Sequence, residues 1–178
     1  MDTATLIENA ATLIEHCRED GAASDDFIPD EVAICFPDEE SLVLFVKEAI
    51  QDYGLENFNS VEKDHMSRLD RIGEGFDVRF EFLRLPGRSW RFECMFVYPG
   101  GIAPLHERAL RENGGEPVII HISFKLHNVD EYGQTVREWP TRHAWSRKAE
   151  YSNSYGIFSY WSVNGGPYWK PRVNLRDT

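Results

Sequence analysis

A chain of 178 residues is long enough to bury roughly 70% of its unfolded surface in one core, and 42% hydrophobic with 13% aromatic residues excludes a disordered polymer. No apolar run approaches the ~18 residues of a membrane helix, and Met1-Asp2-Thr3-Ala4 does not open an export leader, so a cytoplasmic globular protein is expected. The net charge of −11 is uneven, with 19 acids and 5 bases in residues 1 to 75 against 2 and 6 in residues 139 to 178. An acidic half of this kind disfavours direct contact with nucleic-acid phosphates and suits a basic protein surface.

The first element is an amphipathic helix over residues 3 to 20, with Leu6, Ile7, Ala10, Leu13, Ile14 and Cys17 at steps of three and four and Gly21 beyond its end. An acidic loop leads to Val32-Ala33-Ile34-Cys35-Phe36, a short β-branched run stopped by Pro37, which predicts a buried strand. Asp38 then offers an N-cap, Glu39 and Glu40 suit the positive first turn, and Leu42, Phe45, Val46, Ala49, Ile50 and Tyr53 form the stripe of a second helix. Ser60 is positioned to cap a short helix carrying Val61, His65, Leu69 and Ile72.

From residue 76 the period changes to two. Residues 76 to 84 and 89 to 98 predict a hairpin through Pro86-Gly87-Arg88, with Phe80 opposite Cys94 and Phe82 opposite Phe92 on one apolar face. Gly100-Gly101 turns the chain into a helix over 104 to 113, with Leu105, Ala109 and Leu110 inward, and a strand over 117 to 127 follows. The order β, α, β, β, α, β predicts an α+β fold with a ferredoxin-like core, a four-stranded antiparallel sheet with two helices on one face. The expected organisation is one domain: N-terminal helix and acidic loop over 1–30, core over 31–127, and an aromatic-rich, partly β extension over 128–178 packed on that core. Within the extension only residues 156 to 163 predict a strand, and no internal repeat is visible.

Phosphate loops, paired metal-ligand motifs and nucleophile elbows are missing from the sequence, so no cofactor and no metal are expected. Cys17, Cys35 and Cys94 are odd in number and lie in apolar patterns, which predicts buried thiols. The chemistry-bearing side chains that alternation collects are Arg79, Glu81, Arg91, Glu93, His121, Ser123 and Lys125, all predicted on the sheet face turned away from the helices, around the small residues Ala33 and Cys35.

Ile120-His121-Ile122-Ser123-Phe124 resembles one of the two strand motifs of the two-histidine phosphoesterases. That resemblance implies a cyclic-phosphate hydrolase with His121 as an acid or base and Ser123 as a phosphate ligand. His65-Met66-Ser67 is the only other candidate for the second motif. The helix, acidic loop and strand-helix pair at the N-terminus also resemble the small acidic inhibitors of ribonuclease E, over about fifty residues with no shared motif.

The first expectation is therefore a non-enzymatic inhibitor, immunity or adaptor protein docking on a basic partner through Asp20, Asp25, Asp26, Asp30, Glu31, Asp38, Glu39 and Glu40. The alternative is a phosphoesterase-like hydrolase built on His121 and Ser123. A third is single-strand nucleic-acid binding by tail aromatics interleaved with Arg142, Arg147, Lys148, Lys170 and Arg172.

Overall fold

The computed structural model describes residues 1–19, 29–57, 78–98, 104–143, 145–152, 156–162 and 166–174. Helix α1, Thr3–Glu19, precedes strand β1, Pro29–Cys35, and helix α2, Glu39–Gln51. Asp38 caps α2 by accepting a 2.7 Å hydrogen bond from the Ser41 amide. Strands β2, Glu56–Asn57, β3, Val78–Arg84, and β4, Arg91–Val97, complete the first half. Helix α3, Pro104–Glu112, leads to β5, Val118–Lys125, helix α4, Val129–His143, and strands β6, Ser146–Ser152, β7, Gly156–Ser162, and β8, Tyr168–Asn174.

The eight strands of the described residues form one sheet in the order β2-β3-β4-β1-β5-β8-β7-β6. Among the described residues the succession strand, helix, strand, strand, strand occurs twice, from β1 to β4 and from β5 to β8. The order is the same read inward from either edge, with β1 parallel to β4, β5 parallel to β8, and β1 antiparallel to β5 at the seam. The chain is thus built from two βαβββ halves, which corrects the ferredoxin-like expectation. The four predicted strands are β3, β4, β1 and β5 of a sheet twice as wide, and the presumed extension supplies α4, β6, β7 and β8, the rest of the second half. Helix α4 was missed because its stripe is sparse. Tyr132, Val136 and Trp139 face inward, and Asn128 caps it by accepting from the Glu131 amide at 2.9 Å.

Helices α1, α2 and α4 share one face of the sheet. Leu6, Ala10, Ile14, Leu42, Phe45 and Ala49 meet Val32, Ile34, Phe92, Cys94, Ile122 and Phe124 there, and Trp139, Trp145, Trp161 and Trp169 join the same core. Helix α3 lies on the opposite face, where Ala109 and Leu110 pack with Ala33, Cys35, Val78, Phe80, Phe82, Met95 and Ile120. It does not accompany α2 as predicted.

The hairpin forms, with its register displaced by one residue. Phe80 pairs with Met95 and Glu81 with Cys94. The turn is Leu85-Pro86-Gly87-Arg88, closed by a 3.1 Å bond from the Arg88 amide to the Leu85 carbonyl with Gly87 at φ 76, and Ser89 and Trp90 then enter before β4 begins. A shift of one residue exchanges faces. Phe80 and Phe82 therefore lie on the α3 side while Phe92 and Cys94 lie under α1 and α2. Because both faces of β3 are covered, alternation alone could not choose between the two registers.

Candidate functional site

The face covered by α3 collects charge from the four central strands. Register places Glu31 of β1 beside Arg91 of β4 and Ser123 of β5, Ala33 beside Glu93 and His121, and Ser123 beside Lys170 of β8. Glu31, Glu93, His121 and Lys170, one from each strand, converge in the interior, and none is more than 6% exposed.

Two roles separate within the cluster. Glu31 is saturated: Arg91 Nε and Nη2 donate to its Oε2 at 2.9 and 2.7 Å, and Ser123 Oγ donates to its Oε1 at 2.9 Å. Burial alone would raise its carboxyl, yet Arg91, Arg172, His121 and Lys170 together hold it well below the usual carboxylate range. Glu93 is bound more lightly. Its Oε2 lies 3.0 Å from His121 Nε2 and 3.6 Å from Lys170 Nζ. Lys170 Nζ is also 3.3 Å from His121 Nε2 and 4.0 Å from Glu31 Oε1, and it lies over the Phe158 and Tyr160 rings at 5.1 and 5.8 Å.

The Tyr160 ring stands edge-on to His121 at 5.4 Å between centroids, and His106 of α3 meets the same tyrosine at 6.3 Å. Burial, with His121 and Lys170 nearby, pushes His106 down to about 3, so its imidazole is neutral. At the rim, Arg172 Nη2 pairs with Asp30 at 2.6 Å, and burial raises that carboxyl against the pull of the guanidinium.

Several predicted site residues are therefore together. Arg91, Glu93, His121, Ser123 and Lys125 share the α3 face, with Lys125 exposed at its end. Arg79 and Glu81 are on the other face, because the hairpin register moves them there: Arg79 pairs with Glu39 of α2 and, at 3.1 Å, with Glu81. Of the acidic docking residues, Asp20, Asp25 and Asp26 lie outside the described residues, as does His65. Glu31 is interior, Asp30 pairs with Arg172, and Asp38 caps α2, whereas Glu40 is exposed. Lys170, Arg172, His106 and Tyr160 were not placed in the site. Alternation in Tyr168-Trp169-Lys170-Pro171-Arg172 was the available signal, since Trp169 and Val173 face the helices and Lys170 and Arg172 must then face away.

The donor set raises the question of a metal. Oxygens of Glu31 and Glu93 and a ring nitrogen of His121 lie within 4.8 Å of one another, a combination that suits a divalent ion. Lys170 Nζ occupies that same space. A dication held ~3 Å from it would be repelled by on the order of 10 kcal/mol at an effective dielectric of ~20. Three carboxylates, Asp30, Glu31 and Glu93, also already face three cations, Arg91, Lys170 and Arg172. With Lys170 in place these residues do not fit a divalent ion.

No protein-family model matches the sequence, and no curated protein matches it either. The fold does have counterparts among solved structures. Methylmalonyl-CoA epimerase from Mycobacterium tuberculosis superposes with a TM-score of 0.55 at 14% identity over 85% of this chain and 91% of that one. A variant of the Streptomyces coelicolor methylmalonyl-CoA epimerase in complex with 2-nitronate-propionyl-CoA gives 0.52 at 17% identity over 83% and 94%. A methylmalonyl-CoA epimerase in complex with methylmalonyl-CoA and ammonium gives 0.52 at 18% over the same shares.

The fold is thus the methylmalonyl-CoA epimerase, or VOC-type, fold, shared here at the level of architecture. The neighbours that share this fold are enzymes, a finding against the expectation of an inhibitor, immunity or adaptor protein, and the nucleic-acid alternative loses Lys170 to the interior and Arg172 to its pair with Asp30. The partner facing His121 is a carboxylate and a lysine, where the phosphoesterase resemblance required a second histidine motif.

Proposed function

We propose that this chain is an enzyme that moves a proton on the carbon beside a carbonyl group, an isomerase or epimerase of a small acyl compound. The observation that carries the reading is Glu93, a buried carboxylate 3.0 Å from His121 and 3.6 Å from the Lys170 ammonium. A carboxylate that keeps free lone pairs can accept a proton from carbon, and an adjoining cation stabilises the negative charge that develops on the carbonyl oxygen. Glu93 is the base, Lys170 the electrophilic group, and His121 the relay that holds Glu93 and exchanges its proton. Glu31 is a positioning residue, since its oxygens are taken by Arg91 and Ser123.

The neighbours in fold support the class of reaction, because an epimerase inverts a stereocentre. Their acyl-CoA compounds are the first substrates to try. Helix α3 covers the cluster, so a substrate reaches it when α3 and His106 give way. Three buried cysteines outside any disulfide, Cys17, Cys35 and Cys94, suit a reducing cytoplasm.

The test is exchange of the α-hydrogen for deuterium in D2O, followed by proton NMR with methylmalonyl-CoA, other 2-substituted acyl thioesters and free 2-substituted carboxylates. Exchange with at least one compound, lost in Glu93→Gln, is expected. A folded wild-type protein that exchanges none of them sinks the reading.

A further inference from the structure

We propose that Lys170 is a resident cation, its ammonium standing where a divalent metal ion would be held by Glu31, Glu93 and His121, so that the site works without any metal. The inference concerns what fills the cluster and does not depend on which reaction is run there. Its first ground is topology. Strand β8 lies beside β5 in parallel as β4 lies beside β1, so when the halves are exchanged the β8 side chain answering Glu93 of β4 is Lys170, as His121 answers Glu31. Two pairs of equivalent positions thus point at one space, and three of the four carry metal-binding donors while the fourth carries a positive charge.

The second ground is position. Nζ faces all three donors, at 3.3 Å from His121, 3.6 Å from Glu93 and 4.0 Å from Glu31. Those spacings belong to hydrogen-bonding and ion-pairing contacts of an ammonium, and exceed the ~2.1 Å of nitrogen or oxygen on zinc. The third ground is confinement. Lys170 is 6% exposed, with Phe158 and Tyr160 rings against its ammonium, and its strand is fixed by pairing with β5. Leaving this place would strip two buried carboxylates of their nearest shared countercharge. The chemical consequence is specific: an ammonium offers hydrogen bonds to a single carbonyl oxygen, carries one charge, and cannot be removed by a chelator.

The experiment uses the full chain, dialysed against EDTA and titrated calorimetrically at pH 7.5 with manganese, cobalt and zinc chlorides separately, with bound metal counted by mass spectrometry. The wild type is expected to bind no stoichiometric ion, and its thermal unfolding to be the same with and without EDTA. Lys170→Glu and Lys170→Gln keep the three donors and remove the cation. They are expected to gain one equivalent of metal, with cobalt giving the visible absorption of a bound ion. One equivalent bound by the wild type and lost in Glu93→Gln overturns the proposal, since Lys170 must then step aside for a metal. Folded Lys170 variants that bind none overturn it too, because the place would then not be a metal's. Should neither variant fold, the wild-type titration decides alone.

Discussion

Arg91 directs both Nε and Nη2 to a single oxygen of Glu31, at 2.9 and 2.7 Å, across the parallel pairing of β1 with β4. A carboxylate 2% exposed depends on such a partner. Removing one side of a buried pair leaves an uncompensated charge, typically a loss of ~3 to 5 kcal/mol, whereas exposed pairs are worth little. Arg91→Met is therefore expected to lower urea-unfolding stability on that scale, and Arg108→Met, on the exposed α3 pair with Glu112, to change it by less than ~0.5 kcal/mol. Equal losses in the two would show that Glu31 is solvated.

Glu31 also sets the acid limit of the fold. Its folded carboxyl is held below its unfolded value, so its contribution is fully present above the ordinary carboxylate range and drains away as pH falls toward the folded value. In Glu31→Gln this part of the acid dependence should vanish, which equilibrium unfolding between pH 5 and 3 would reveal.

His106 acts over a higher window. Its folded value of about 3 lies below the ordinary 6.5, so the unfolded chain takes up a proton that the folded chain refuses, and stability falls as pH drops below 6.5. Between pH 7 and 5 the loss from this one group is about 2 kcal/mol. His106→Phe should flatten that segment of the stability curve, and an unchanged slope would place His106 in water.

On activity, Glu93→Gln and Glu31→Gln should part company. The first removes the base and is expected to cost ~10²- to 10⁴-fold in deuterium exchange. The second should act mainly through unfolding, so exchange per folded molecule falls less. A reversed order would transfer the role of base to Glu31.

The thiols give a simple check of packing. Burial pushes Cys35 up to about 12 and Cys94 well above its usual value, and Cys17 is buried as well. Native protein should resist iodoacetamide at pH 8 and take up three alkyl groups only in denaturant, counted by mass spectrometry. Rapid labelling of Cys35 in the native state would mean that α3 does not shield the β1 end.

Much of the local structure was legible because each element carried its own pattern. The stripe Leu42, Phe45 and Ala49 behind Asp38 specified α2, and apolar runs and alternation marked the strands β1, β3, β4 and β5. The eight-stranded sheet was not, because α4 and β6 present few aliphatic residues: Ser146, Arg147, Lys148 and Glu150 alternate with almost nothing apolar on this edge strand. The candidate site was half visible. Alternation put His121, Ser123, Glu93 and Arg91 on one face. In the sequence Glu31 looks like surface, since an acid beside an acidic loop gives no sign of a half-buried guanidinium sixty residues away, and Lys170 sits on a strand whose pairing follows only from the duplicated topology.

The duplicated architecture divides the cluster by sign. Both carboxylates, Glu31 and Glu93, come from the first half, and both nitrogen groups, His121 and Lys170, from the second. Arg91 answers Glu31 within the first half, but Glu93 takes its contacts from His121 and Lys170 of the second half, and Lys170 takes its carboxylates from the first, so neither half can close over its share alone. Repeated units often melt one by one, but here each supplies the other's neutralisation, so the halves are obliged to fold in concert and unfolding should be a single step. The buried cluster thereby doubles as the clasp between the two ancestral-looking modules, and a mutation that loosens it loosens their cooperativity before it unravels either one.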